Sequence, residues 1–113
     1  MSGIANISMM ALTLLATATI TALRFVTATG AQTGAGGNAL GVAAMDAASG
    51  EDFTADAAGL ITVEAGGAVT AGGLVESDAS GRAINKAAGV AVARSLDAST
   101  TSGERIRVML IPN

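Results

Sequence analysis

Cysteine and histidine are both missing from the chain. Without cysteine there is no disulfide and no thiolate metal site. Without histidine the commonest metal ligand and the commonest neutral-pH general base are gone, so a Ser-His-Asp arrangement is excluded within the chain. Tryptophan and tyrosine are absent too, and Phe25 and Phe53 are the only aromatics. The side chains that bury the most area are therefore nearly missing. Lys and Arg number six, scattered from Arg24 through Arg82, Lys86, Arg94 and Arg105 to Arg107, within a net charge of −3. A nucleic-acid surface needs clustered cations or stacking aromatics, and neither is present.

What is abundant is small: half of the 113 residues are hydrophobic, much of that is alanine, and 15 are glycine. A chain of this length is one domain. It buries only about two-thirds of its unfolded surface, and small side chains gain little from that burial. The core is expected to be thin, which predicts assembly with further subunits.

The organising stretch is residues 68–93, AVTAGGLVESDASGRAINKAAGVAVA. Val69, Leu74 with Val75, Ile84 and residues 90–92 are its apolar anchors. Gly72-Gly73, residues 76–81 and Gly89 are breaks where the chain can reverse. Short strands at this spacing predict an all-β fold, a small antiparallel barrel or sandwich.

The stretch has an earlier counterpart. A shift of about 49 residues sets TITALRFV on AVTAGGLV, so that Ile20 meets Val69 and Phe25-Val26 meets Leu74-Val75. Gly41-Val42-Ala43 then answers Gly89-Val90-Ala91, and Gly50-Glu51 answers Gly103-Glu104. The expectation is two degenerate copies, residues 12–58 and 60–112, forming one barrel with a pseudo-twofold; two copies are too few for a solenoid.

Residues 1–12, MSGIANISMMAL, lie outside this pattern. They are apolar and uncharged but interrupted by Ser2, Gly3, Asn6 and Ser8, which predicts neither a long helix nor a solvated tail. The reading is an extended arm, with residues 13–113 as the domain. Ile4, Ile7, Met9, Met10 and Leu12 are its candidate contacts, by strand addition to another chain. The uncharged run up to Leu23 is not read as a signal peptide or membrane span, because its first cation is Arg24 and threonines interrupt it. Thr17, Thr19 and Thr21 alternate as in a half-buried strand.

Further along, the glycine-rich residues 30–37 lack the spacing of a phosphate-binding loop and predict a mobile surface loop. Residues 40–45 read as a strand, and residues 53–55 and 60–63 as two strands joined by a hairpin connection at residues 56–59. In ERIRVMLIPN, Arg105, Arg107 and Met109 alternate with Ile106, Val108 and Leu110, the clearest strand pattern in the chain, which Pro112 ends.

The nine carboxylates fall almost entirely in predicted turns. Glu51-Asp52 and Glu76 with Asp78 are the pairs closest to a calcium loop, but the full ligand ladder is missing. Ser49, Ser80 and Ser102 each precede glycine as ordinary turn residues, and a Ser-Lys pair with Lys86 has no supporting motif. No catalytic set, metal site or cofactor is expected.

The order VTAGGLV, SDASGRAI, AAGVAVA, SGERIRVMLI resembles the small capsid cement or decoration proteins of tailed bacteriophages, over residues 39–110. That resemblance implies a β-rich, non-enzymatic structural protein on the outer surface of the virion's capsid, with the major capsid protein as partner and no cofactor. It also implies a homo-oligomer, a trimer by preference although dimeric cements occur. The glycine-rich loop and apolar N-terminus depart from the pattern. The competing reading is a carbohydrate-binding or adhesion sandwich, which the shortage of aromatics weakens.

Overall fold

Alternating side chains at the C-terminus form the strand that their pattern predicts. Arg105–Leu110 pairs antiparallel with the longest of the described strands and buries Ile106 and Val108 against it. The computed structural model describes residues 7–112. Its strands are β1 (Ile7–Leu15), β2 (Phe25–Val26), β3 (Gly41–Ala43), β4 (Asp52–Glu64), β5 (Leu74–Ser77), β6 (Ala83–Asn85), β7 (Ala93–Ser95) and β8 (Arg105–Leu110), with no helix among the described residues.

All eight belong to one antiparallel sheet in the order β2-β3-β4-β8-β7-β5-β6, with β1 also on β4. The sheet is nearly closed into a barrel. Its two end regions are tied where the Phe25 amide donates to the Gly81 carbonyl at 2.7 Å, just before β6. The chain is all-β and antiparallel, as the sequence predicts.

Burial falls into two clusters. One gathers Ile61, Val63, Val69, Val75, Val92, Ile106 and Val108 together with Phe25, Ala39 and Val42. The other, smaller and richer in alanine, holds Ala16, Ile20, Val26, Ala43, Ala47, Phe53 and Ala55. Both phenylalanines are fully buried, one in each cluster. These are the large payloads of an otherwise thin core.

Four expectations meet a different chain. The hairpin at residues 56–59 does not exist: β4 runs unbroken for 13 residues. Asp56 and Gly59 serve close approach rather than reversal there. Ser8 Oγ donates to Asp56 Oδ1 at 2.7 Å, and a Cβ at Gly59 would collide with the Ile7 carbonyl oxygen, beside bulges at Ser8/Met10 and Met10/Ala11. Such bulges absorb an extra residue and increase local twist.

The threonine alternation is not a strand either. Ala16 and Ile20 are buried while Thr17, Ala18 and Thr19 are all exposed, and only an isolated bridge joins Ile20 to Ala47. The glycine-rich loop is pinned by hydrogen bonds. Gly36 N donates to Ser77 O at 2.8 Å, Val90 N donates to Gly36 O at 3.0 Å, and Thr33 is buried. Glycine serves contact here, since a Cβ on Gly89 would run into Gly36 Cα. Finally, residues 90–92 precede the strand they were read as; β7 is Ala93–Ser95.

Backbone hydrogen bonds nonetheless recur at an offset close to the one read from the sequence. Ile20 and Ala47 exchange both amide bonds, and so do Val69 and Ser99. Leu23 N donates to Ala43 O as Gly72 N donates to Ser95 O, at 2.8 and 2.7 Å. Leu23 is the only described non-glycine residue with positive φ, at 65°, and Gly72 has φ 83°. By this register the counterpart of Gly41-Val42-Ala43 is Ala93-Arg94-Ser95, not residues 89–91.

Candidate functional site

Carboxylates hold turns throughout the molecule. Asp46 Oδ1 accepts from Ala22 N at 2.7 Å, and Glu51 Oε1 accepts from Ala48 N at 2.7 Å. Asp78 Oδ1 accepts from Ser80 N and Arg82 N, and its other oxygen accepts from Arg82 Nε at 3.1 Å. Glu104 Oε1 gathers the amides and hydroxyls of Thr100 and Thr101.

Glu76, two residues before Asp78, is bonded to a different segment. Its Oε1 accepts from Ala87 N at 2.6 Å and Gly89 N at 2.9 Å. Of the pairs singled out as calcium candidates, Glu76 and Asp78 are thus committed to separate sets of donors, and Glu51 is committed to the Ala48 amide. No group of three or more metal-ligating side chains occurs among the described residues. Ser102 Oγ accepts from Arg82 Nη1 at 2.8 Å, and Lys86 Nζ donates to the neighbouring Ala87 carbonyl.

One ion pair is two-pronged. Arg107 Nε and Nη2 donate to Asp97 Oδ2 and Oδ1 at 3.0 and 2.9 Å, and the Arg107 amide adds a third bond to Oδ2. The guanidinium, followed by that amide, outweighs burial and holds the Asp97 carboxyl below its usual range. The Ala87 and Gly89 amides lower Glu76 in the same direction, and the Thr100 hydroxyl leads in lowering Glu104.

These folded-state values lie below the unfolded ones. Their stabilisation is therefore complete above the unfolded pKa, near pH 4, and is lost as pH falls through the folded values. Asp97→Asn is expected to lower Tm by about 5 °C at pH 7 and by progressively less on acidification. Melting curves from pH 7 to pH 2.5 check this; a constant difference across that range would refute the assignment.

The unsatisfied surface is β1. Ile7, Met9, Met10, Leu12 and Leu15 are 62, 79, 52, 37 and 57% exposed. Large apolar side chains gathered on one strand mark an interaction surface. Among the described strands β1 pairs only with β4, so its other edge presents unpaired backbone groups, a ready template for another chain. Beside it, Met10, Leu12, Ala39, Leu40, Ala57, Ala58 and Pro112 line an apolar groove of about 240 Å³. Another depression, of about 380 Å³, is shallow and lined by Thr19, Ile20, Thr21, Asp46 and residues 47, 48 and 51. Both carboxylates there are already engaged with backbone amides.

Ile7, Met9, Met10 and Leu12 thus lie on one strand, while Ile4 lies outside the described residues. The boundary drawn between residues 12 and 13 falls inside β1, which is registered on β4 from Ile7 onward. Leu15 was missed as an exposed apolar residue. Its signal was present, since it ends the same uncharged run.

A small, nearly closed antiparallel barrel whose carboxylates fasten turns and whose apolar residues crowd an open strand edge is a structural protein with a candidate interaction edge. The chain belongs to the phage cement protein family, which residues 5–110 match. No curated protein matches it. Its fold is similar to that in "The crystal structure of head fiber gp8.5 N base in bacteriophage phi29", with a TM-score of 0.72 and 13% identity over 90% of this chain and 93% of that one. The protein is a structural component associated with the phage capsid.

Proposed function

We propose that the protein decorates the outer surface of an assembled phage head, with the major capsid protein as partner, and stabilises the shell without catalysing a reaction. Membership of the cement family over residues 5–110 carries this reading. The exposed apolar strand β1 supplies the contact: Ile7, Met9, Met10 and Leu12, continued by Ile4, meet the shell or a neighbouring subunit. The protein acts as a homo-oligomer, a trimer by preference, because its alanine-rich core leaves a single subunit short of buried area. The adhesion alternative lacks its usual platform, since both aromatics are buried.

A ligand that binds only the assembled state shifts stability toward it by mass action. Heads carrying the protein should rupture at a higher temperature than stripped heads, and adding the protein back should restore the difference. Identical melting of stripped and decorated heads would refute the stabilising role.

A further inference from the structure

The recurring hydrogen bonds extend over most of the chain. Ala16 N donates to Glu51 O and Gly50 N to Ala16 O; Ala65 N donates to Glu104 O and Gly103 N to Ala65 O. Leu12 pairs with Ala55 and Leu15 with Asp52, as Ile61 pairs with Val108 and Glu64 with Arg105. On this register β1, β2, β3 and the first part of β4 correspond to the last part of β4, β5, β7 and β8. Strand β4 is the last strand of one set and the first of the next.

The two sets differ in what covers them. Ile61 and Val63 are fully buried, in a cluster that takes in Phe25 and Val42 from the first set. At their edge Glu64 N donates to Leu23 O at 2.8 Å, and Arg24 Nε lies 3.5 Å from Glu64 Oε1. The counterparts of Ile61 and Glu64 are Leu12 and Leu15, both exposed, while Leu14, the counterpart of Val63, is half-buried against the smaller cluster. On the covering side, residues 21–24 are half-buried and Phe25 is fully buried, whereas the counterparts Thr70, Ala71 and Gly72 are exposed, Gly73 is half-buried as Arg24 is, and Leu74 is only half-buried. Each side of one contact thus occurs twice, once joined and once largely uncovered.

We infer that the chain consists of two copies of one four-strand unit, and that the contact joining them is made again between chains, the turn at residues 70–73 with Leu74 of one copy seating on residues 12–15 of β1 in a second. The Leu15 amide of one chain then faces the Gly72 carbonyl of its neighbour, as Glu64 faces Leu23 within the chain. Two different surfaces meet, so the contact is heterologous and builds a ring where its rotation closes. Arg94, exposed in the free subunit, stands where the first unit has Val42; in this contact its aliphatic stem would cover the neighbour's apolar surface while its head stays at the rim, with Nη1 on Gly72 O.

The internal contact also says what must move. Residues 7–10 of the arriving chain would coincide with the end of β8 in its neighbour, so they leave β4 at the bulges flanking Met10. They are thereby freed toward the shell. This deepens the self-association proposed above and stands apart from the question of which surface meets the head.

The absence of cysteine makes single-cysteine variants clean probes. Leu15→Cys and Ala71→Cys, both at exposed positions, are treated with a short thiol-to-thiol cross-linker, singly and mixed, free and on decorated heads. The expected result is a covalent pair in the mixture, none from either variant alone, and a closed ring from the doubly substituted chain. Cross-linking of Leu15→Cys to itself would overturn the inference in favour of a twofold contact through β1. No cross-link in either setting would overturn it outright. Variants that decorate heads normally yet fail to cross-link would leave the capsid reading standing and remove this contact alone.

Discussion

Replacing Gly41 by alanine is expected to abolish the native fold. Gly41 opens β3 with its backbone against β4, where an added Cβ would collide with the Asp56 carbonyl oxygen and crowd the Ala57 Cα. Both neighbours are backbone of the central strand, so nothing flexible can yield. Relieving the clash means moving β3 away and breaking the Val42–Asp56 and Ala43–Ala55 pairs that hold β2 and β3 to the sheet. Val42, fully buried in the larger cluster, would go with them. A loss above about 4 kcal/mol is expected, comparable to the whole stability of a small domain. Gly67→Ala is the control: a Cβ there meets nothing, and the change should stay within about 0.5 kcal/mol. Urea unfolding of the two variants makes the comparison. A stable, cooperatively folding Gly41→Ala protein would contradict the packing described.

How far this architecture was legible varies along the chain, for physical reasons. Strand β8 was plain because one face is buried and one wet, which writes period two into the residues. Strand β4 was read as two because Asp56 and Gly59 are ordinary reversal residues, and sequence does not say that the first is bonded by Ser8 or the second approached by Ile7. The loop at residues 30–37 misled in the same way. Its glycines permit contact with Gly89, and the resulting order depends on partners more than 40 residues away, such as Ser77. Leu23 carries positive φ where its counterpart is a glycine, so the turn it makes is invisible by composition.

At the candidate site, the apolar character of residues 7–12 was readable, as was their place outside the core. Their pairing with β4 was not, because an exposed strand lacks the alternation that burial imposes. The turn-fastening role of the carboxylates follows from their turn positions, as for Asp78 with Ser80 and Arg82 in its own turn, but the partners of Glu76, at Ala87 and Gly89, lie beyond that turn.

The second large effect is expected at β1. In the double variant Ile7→Glu, Met9→Glu the two most exposed apolar side chains of the strand become charged. The fold should change by no more than about 0.5 kcal/mol, since neither residue is buried. Binding to heads should fall about 100-fold or more, because each side chain buried on docking contributes about 1.5–3 kcal/mol and a tenfold change takes about 1.4 kcal/mol. Ala79→Glu, on an exposed turn remote in sequence from β1, should bind as the parent does. Titration of heads with fluorescently labelled protein reads all three. Undiminished binding by the double variant would move the contact away from β1.

The central claim is that this chain is a structural ligand of the assembled shell, and electron cryo-microscopy of heads tests it most directly. Heads prepared without the protein, then incubated with it, are compared with untreated heads. The account predicts added density on the outer face at symmetry-related sites, fitting an antiparallel barrel whose β1 end lies against the major capsid protein. Heads that show no added density at saturating protein, or that carry it only on the inner face, would contradict it.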